Sequence, residues 1–219
     1  EGFEPAHHRL DALGEYRADL QNCLNQANTQ SVRWPTVFGP LRQAVQQYQL
    51  PAPALFDLLD AFEQDVVYTS VGQGYRNRAE LLDYCRRSAN SVGRLMLHLY
   101  GVHDAVSITQ SDAICTALQL INLWQDRAED LGRGRNYLPE GHTLPNEVRF
   151  ARELMMQGAP LVHRVKGRAG WELRAVVQGG LRILDKLDTR PETNDHTQLA
   201  RPTLNKTDFI RIFWRCIRM

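Results

Sequence analysis

The sequence predicts an all-α fold in which the helices of a single domain, residues 1–219, surround a central cavity. Stretches of more than ten residues repeatedly place apolar side chains three and four positions apart, which is the period of an amphipathic helix. No stretch alternates apolar and polar residues as a strand does, and neither an internal repeat nor a glycine-rich phosphate loop occurs. With 219 residues, the chain is long enough to bury a sizeable core.

The first half of the chain divides into four predicted helices separated by proline or glycine. Trp34-Pro35 ends a connector, because the residue before a proline disfavours helix, and Pro51 and Pro53 follow the second helix. A glycine inside a helix costs about 0.5 to 1 kcal/mol relative to alanine, so Gly93 predicts a break or a close helix contact. The four helices are His8–Asn25, Phe38–Gln49, Ala54–Val67 and Glu80–Tyr100.

The second half begins with an expected loop, Gly101–Thr109, and a central helix. Two later helices are expected at Glu147–Gln157 and Leu161–Leu187, the second interrupted at its glycines. In that second helix, Arg174, Gln178 and Arg182 follow each other at four-residue spacing, which is typical of a solvated charged stripe or of a pocket wall. The polar segment Thr189–Asn205 looks least ordered.

An acidic cluster lies on the helix Ala54–Val67. It consists of Asp57, Asp60, Glu63 and Asp65. Four acids on one helix more often form its solvated face than a metal site, and we adopt that interpretation for the cluster as a whole.

The central helix, expected from Ser111 to Leu131, carries the candidate chemistry. At about 100° per residue, four of its polar side chains fall within an arc of roughly 80°. They are Gln119, Asn122, Asp126 and Asp130.

This polar stripe has two interpretations. In the first, it is a solvated face whose carboxylates pair with Arg127, Arg133 or Arg135. In the second, Asp126 and Asp130 share a hard divalent cation, because Mg²⁺ takes one or two carboxylates and keeps waters and phosphate oxygens as further ligands. Arginines just past the helix would then donate to the same phosphates.

The overall charge is nearly balanced, with 26 basic and 25 acidic residues, and gives no support for a nucleic-acid partner. The four cysteines show neither C-x-x-C pairing nor zinc spacing, so reduced cysteines in a cytoplasmic protein are expected. No apolar run reaches the roughly 20 residues of a membrane span. The tail Asp208–Met219 mixes apolar groups with arginines, which favours either a packed helix or peripheral membrane contact.

The central motif carries a family resemblance. The pattern A-x-Q-L-x-N-x-x-Q-D-x-x-x-D, from Ala117 to Asp130, is followed by G-R-x-Y-L-P. Together they resemble the second Asp-rich motif of the squalene and phytoene synthase family. The resemblance implies that Asp126 and Asp130 bind Mg²⁺ and act in catalysis. It implies substrate-binding roles for four further matched residues, which are Gln119, Asn122, Arg135 and Tyr137.

Further stretches extend the resemblance over nearly the whole chain. Tyr84-Cys85-Arg86-Arg87-Ser88-Ala89-Asn90-Ser91-Val92-Gly93 is similar to the Y-C-R-R-S-A-N-P-V-G motif of the hydroxysqualene synthase branch, which implies that Tyr84 lies in the active cavity. Val177–Leu184, which contains Gln178 as a further substrate-binding candidate, and Arg201-Pro202-Thr203-Leu204 match the same branch. The family also carries an aspartate at the position of Asp65.

The activity implied by this branch belongs to hopanoid-type squalene synthesis. Its members take presqualene diphosphate, remove the diphosphate with Mg²⁺ and trap the carbocation with water. Two alternatives stay open. The first is a phytoene or dehydrosqualene synthase that joins two prenyl diphosphates, and the second is a non-catalytic family member that acts as an assembly or binding module.

The start of the chain departs from the family pattern. Family members carry a first Asp-rich motif that ends in A-D-E-G, whereas this chain begins at Glu1-Gly2. The expectation is an N-terminally incomplete chain that lacks one side of its cavity. Such a chain would be inactive as it stands, and its exposed apolar surface would lead it to form a homodimer or to aggregate.

Overall fold

The computed structural model describes residues 4–25, 31–189 and 201–219, and none of these residues lies in a β-strand. The all-α prediction is confirmed. Most of the polar segment Thr189–Asn205 lies outside the described residues. The helices are α1 (Ala6–Leu24), α2 (Pro35–Tyr48), α3 (Ala52–Val71), α4 (Arg78–Cys85), α5 (Ser91–Leu99), α6 (Ala105–Gln125), α7 (Arg127–Gly132), α8 (Leu144–Gly158), α9 (Gly167–Asp188) and α10 (Lys206–Arg218). A π-helical turn, Arg86–Asn90, joins α4 to α5, and a 3-10 turn, Ala159–His163, follows α8.

Helix α6 is the centre of the packing. It contacts α4, α5, α8, α9 and both short turns. Its side chains Leu120 and Trp124 are almost fully buried, as are Val148 and Met155 on α8. Because each fully buried side chain of this size contributes about 1.5 to 3 kcal/mol, the packing along α6 is a main source of stability.

Helices α1, α2 and α3 share a second, smaller apolar cluster. Its buried members are Leu20, Cys23, Phe38 and Leu59. Arg17 on α1 also forms ion pairs with Asp60 and Glu63 on α3, at 2.6 and 3.0 Å. The acidic cluster of α3 therefore makes contacts between helices, while the Asp60 and Glu63 side chains remain 45% and 34% exposed.

The break or close contact predicted at Gly93 occurs in both forms. The π-helical turn interrupts the helix just before it. A β-carbon placed on Gly93 would lie 2.5 Å from Cys115 Sγ and 2.7 Å from Ser111 Oγ of α6. Real β-carbons do not approach other atoms so closely, so this glycine allows α5 and α6 to pack tightly.

Two boundaries of α6 differ from the sequence prediction. The helix begins inside the expected loop, because the Asp104 side chain accepts a hydrogen bond from the Ser107 N–H and caps it. It is interrupted at Asp126, whose backbone, with φ −92° and ψ 2°, separates α6 from α7. The Asp126 and Asp130 N–H groups still bond to carbonyls four residues earlier. The two carboxylates therefore remain one turn apart.

Helix α10 packs against the charged stripe expected on α9, at Gln178 and Arg182. Arg182 donates to the buried Asp208 carboxylate at 2.6 Å, and the Gln178 amide donates to Met219 Sδ at 3.4 Å. This part of the stripe is thus an interface between helices and not a solvated face. Of the helices in the described part of the chain, none is long and apolar enough to cross a membrane.

Candidate active site

An apolar cavity of about 500 Å³ lies beside α6. Its walls come from the π-helical turn, α5, α6 and α9, and include Leu118 and Val176. Gln119 is one of its polar lining residues, so the polar stripe of α6 begins at the cavity wall. At 1.5 Å per residue, the stripe reaches Asp126 about 10 Å further along the helix.

Asp126 is bound by an arginine from a distant part of the chain. Arg201 donates from Nε to Asp126 Oδ1 and, at 3.4 Å, from Nη2 to Oδ2. The same Nη2 lies 3.5 Å from Asn122 Oδ1. The Gln125 side chain donates to the Pro202 carbonyl at 2.6 Å, which anchors this segment on the helix. A guanidinium group is therefore held over two members of the polar stripe.

Asp130 lies one turn further, on α7. Burial raises the pKa of its carboxyl, the positive charge of Arg135 opposes this, and the nearby Asp126 adds to the rise. The two carboxylates thus repel each other, as expected for like charges one helical turn apart. A hard cation bound by both would remove that repulsion.

A second cluster forms around Asp65 of α3. Tyr84 donates its hydroxyl to Asp65 Oδ2 at 2.9 Å, and Tyr137 donates to Oδ1 at 3.1 Å. The rings of Tyr75, Tyr84 and Tyr137 pack with centroids 5.8 to 5.9 Å apart. Burial is the main cause that raises the pKa of Asp65 and of the two donating hydroxyls. Both tyrosines therefore stay protonated, and each hydroxyl donates a hydrogen bond to the carboxyl.

Arg135 connects the two clusters. Its Nε donates to Thr69 Oγ1 at 3.1 Å, and its charge lowers the pKa of both Asp65 and Asp130. Its backbone N–H donates to the Asp130 carbonyl at 2.8 Å, which fixes the chain just beyond α7. Arg135 also lines a cavity of about 690 Å³ together with Arg9 and Asp65. An anionic group that enters near Asp130 would therefore meet positive charge.

Of the eight predicted site residues, Gln119 lines the cavity of about 500 Å³, and the other seven lie outside its lining. Gln178 is buried between α9 and α10 and is not among the side chains that line the cavity of about 500 Å³. The seven predicted residues apart from Gln178 lie at that cavity, beneath Arg201, or near Arg135 and Asp65. They are Tyr84, Gln119, Asn122, Asp126, Asp130, Arg135 and Tyr137.

Arg201 is a candidate whose contact the sequence did not reveal. The ion-pair interpretation assigned the stripe carboxylates to arginines close in sequence. The structure instead pairs Arg133 with Glu129 at 2.7 Å and Asp126 with Arg201. The available signal was the family-like stretch that begins at Arg201. Spacing could not show that this residue reaches a helix end 75 positions earlier.

Asp126 and Asp130 fit a Mg²⁺ ion whose other ligands are waters and phosphate oxygens. Mg²⁺ usually takes only one or two carboxylates from a protein. In the part of the chain that the structure describes, no group of three or more His, Cys, Asp or Glu side chains could enclose a metal ion. Asp126 and Asp130 together supply the number of carboxylates that Mg²⁺ usually takes.

Comparison with known proteins agrees with the resemblance seen in the motifs. Residues 2–144 match the family model of squalene/phytoene synthase. The chain is 40% identical over 100 residues to hydroxysqualene synthase from Sinorhizobium fredii, covering 45% of this chain and 32% of the relative. It is 31% identical over 103 residues to phytoene synthase from Mycobacterium tuberculosis, covering 47% and 33%. The chain therefore matches about a third of the length of these two curated relatives.

A solved structure shows the same fold. The crystal structure of squalene synthase HpnC from Alicyclobacillus acidocaldarius matches with a TM-score of 0.72 and 30% sequence identity, covering 82% of this chain and 73% of that one. The proteins matched are enzymes, and their family generally depends on a divalent metal. Because the family match covers well over half of its residues, the chain belongs to the squalene/phytoene synthase family.

Proposed function

We propose that the protein ionises presqualene diphosphate with Mg²⁺ and captures the carbocation with water, giving hydroxysqualene and diphosphate. The observation that carries this proposal is the polar stripe on α6 and α7. It starts with Gln119 at an apolar cavity and ends with Asp126 and Asp130. A substrate with a long hydrocarbon part and a polyanionic head group fits a surface that is apolar at one end and could hold a metal ion at the other.

The head group belongs at the carboxylate end of the stripe. Mg²⁺ held by Asp126 and Asp130 would supply positive charge that stabilises the departing diphosphate. The chain adds its own donors: Arg201 lies over Asp126 and Asn122, and Arg135 lies near Asp130. One guanidinium group can donate two parallel N–H hydrogen bonds to phosphate oxygens, so each of the two arginines would help to orient the head group.

The hydrocarbon part belongs in the cavity of about 500 Å³. Its lining is mostly apolar, but Val92 and Val176 are 46% and 43% exposed, so water would be excluded only when the hydrocarbon fills the cavity. Tyr84 is not among the side chains that line this cavity, and it lies one helical turn before Ser88 and Ala89, which do line it. Its hydrogen bond to Asp65 fixes the orientation of the ring.

The proposed reaction balances without a redox cofactor. The bond between carbon and the diphosphate oxygen breaks, and its electron pair leaves with the diphosphate. One water oxygen then bonds to the carbocation and releases one proton to solvent. No hydride is transferred, so turnover is expected to proceed without NADPH.

Asparagine substitutions test the proposal in protein expressed from its whole reading frame. Asp126→Asn and Asp130→Asn are each expected to abolish diphosphate release while leaving the helical circular dichroism spectrum unchanged. Each removes a charged metal ligand and also relieves repulsion along the helix. Glu129→Gln is the matched control, because Glu129 lies between them on α7 and pairs with Arg133. Wild-type turnover of either Asp variant at saturating Mg²⁺ would reject the metal role.

A second candidate is the joining of two prenyl diphosphates by a phytoene or dehydrosqualene synthase. The similarity to a phytoene synthase favours it. A metal-bound diphosphate would serve both reactions, so the metal site does not separate them. Product chromatography separates the two: hydroxysqualene supports the first candidate, whereas phytoene or dehydrosqualene supports the second. If neither product forms, the protein is a non-catalytic member of the family.

A further inference from the structure

Helix α10 presents an inner face and an exposed apolar face. The inner face carries Asp208, Ile212 and Cys216, which are 0%, 7% and 6% exposed. At about 100° per residue, a second face roughly 140° wide carries five large apolar residues. Their exposed fractions lie between 48% and 62%. They are Phe209, Ile210, Phe213, Trp214 and Ile217.

A third face of α10 is positively charged. Arg211, Arg215 and Arg218 occupy an arc of roughly 60° beside the apolar face. Arg215 lies 3.8 Å from Asp185, and neither of the other two forms an ion pair with a residue that the structure describes. The one acidic residue of the helix, Asp208, is buried in ion pairs with α9. The exposed surface of α10 therefore combines large apolar groups with positive charge alone.

Contacts on the inner side fix α10 in this orientation. Asn205 and Asp208 form a capping box at its start, and Asp208 also accepts from Arg182 at 2.6 Å. Met219 packs against the main core at the other end. Rotating the helix to bury its apolar face would break these buried ion pairs, so the apolar face stays directed outward.

We propose that this outer surface of α10 docks on an anionic lipid bilayer, with the helix lying in the plane of the headgroups. Aromatic and aliphatic groups enter the acyl boundary and arginines meet lipid phosphates, as in interfacial amphipathic helices. A second copy of the chain fits less well, because antiparallel pairing of two such faces sets their arginine edges side by side. The inference does not depend on the proposed reaction.

Flotation of the chain with lipid vesicles, without Mg²⁺ or substrate, tests this inference. The protein is expected to float with vesicles of equal parts phosphatidylglycerol and phosphatidylcholine, and far less with phosphatidylcholine alone. The double variant Phe213→Ser, Trp214→Ser is expected to stay in the soluble fraction with both. The double variant Arg211→Gln, Arg218→Gln is expected to bind anionic vesicles roughly 25-fold more weakly, at about fivefold per arginine.

Tyr48→Ser is the matched control, because Tyr48 is an aromatic residue of α2 with 50% exposure. It is expected to float like the wild type. Unchanged flotation of the Phe213 and Trp214 variant, or equal flotation with neutral and anionic vesicles, overturns the proposal. So does light scattering that shows a dimeric wild type and a monomeric variant, since a second copy of the chain then covers this face.

Discussion

The single carboxyl of Asp65 determines the arrangement of much of the candidate site. It accepts hydrogen bonds from Tyr84, 19 positions later, and from Tyr137, 72 positions later. The family resemblance pointed to each of the three residues separately. Their contact could not be predicted, because spacing along the chain carries no information about residues so far apart. A buried polar group needs such partners, which is why the fold gathers them.

Asp65 should make protein stability depend on pH in a defined direction. Burial raises the pKa of its carboxyl above the ordinary 3.8, so the folded protein binds this proton more tightly than the unfolded chain. Its contribution to the free energy of unfolding is full below pH 3.8 and is lost as the pH rises through the raised pKa. Asp65→Asn removes this titration. The free energy of unfolding of the variant, relative to wild type, is therefore expected to increase with pH.

Urea unfolding of both proteins at several pH values measures this difference. Other titrating groups cancel in the comparison, because both proteins contain them. A difference that stays constant or decreases as the pH rises would contradict the effect of burial on Asp65.

Arg201→Gln is expected to change metal binding and turnover in opposite directions. Without substrate, losing the ion pair frees Asp126 for a cation. A partly exposed pair contributes about 0.2 to 1 kcal/mol, so affinity for Mn²⁺, a spectroscopic substitute for Mg²⁺, should rise up to about fivefold. Turnover should fall, because a proposed donor to the diphosphate is lost. Arg33→Gln, which breaks an exposed pair with Glu15 of α1, is expected to change neither.

Paramagnetic resonance of bound Mn²⁺ and a diphosphate-release assay provide the two measurements for Arg201. If both quantities fall together, Arg201 supports the local fold and does not compete with the metal.

At the scale of helices, the sequence predicted which elements exist better than where they end. The helix expected at Ala54–Val67 spans Ala52–Val71, because apolar spacing marks the middle of a helix more clearly than its ends. The start of α6 depends on one cap, the bond from the Ser107 N–H to Asp104. The junction at Asp126 was missed, since its neighbours all suit a helix and the contact with Arg201 comes from tertiary structure.

Two glycine substitutions are expected to change stability with opposite signs. A β-carbon at Gly93 would overlap atoms of Cys115 and Ser111, so Gly93→Ala should destabilise by about 1 to 3 kcal/mol through overpacking. A β-carbon at Gly14 meets nothing within 4 Å, so Gly14→Ala in α1 should stabilise by about 0.5 to 1 kcal/mol. Denaturant midpoints measure both effects. A stabilising shift in both variants would show that helix propensity outweighs packing between α5 and α6.

At the scale of the whole molecule, the central cavity was expected but its walls were not. The lining residues extend from Ser88 to Val176 and come from elements that are far apart in sequence. In the sequence, an apolar residue of a cavity wall looks the same as one of the solid core, because both follow the helical period. Only the packing of α5, α6 and α9 distinguishes them. The polar stripe was predictable because its four residues lie within one continuous stretch of the sequence, which forms the end of α6 and α7. Its direction relative to the cavity was not predictable.

Filling the cavity tests that direction. Val92 lines the cavity and is 46% exposed, so a tryptophan there enters open space without displacing a core side chain. Each buried CH₂ group contributes about 0.8 kcal/mol, so displacing only two groups of the hydrocarbon lowers kcat/KM by about tenfold or more. Val92→Trp is expected to show this loss for presqualene diphosphate with an unchanged thermal midpoint. Val106→Trp is the control, because Val106 is 54% exposed and is not among the lining residues. If kcat/KM is unchanged in both variants, the hydrocarbon lies elsewhere and the substrate does not extend from Asp126 toward Gln119.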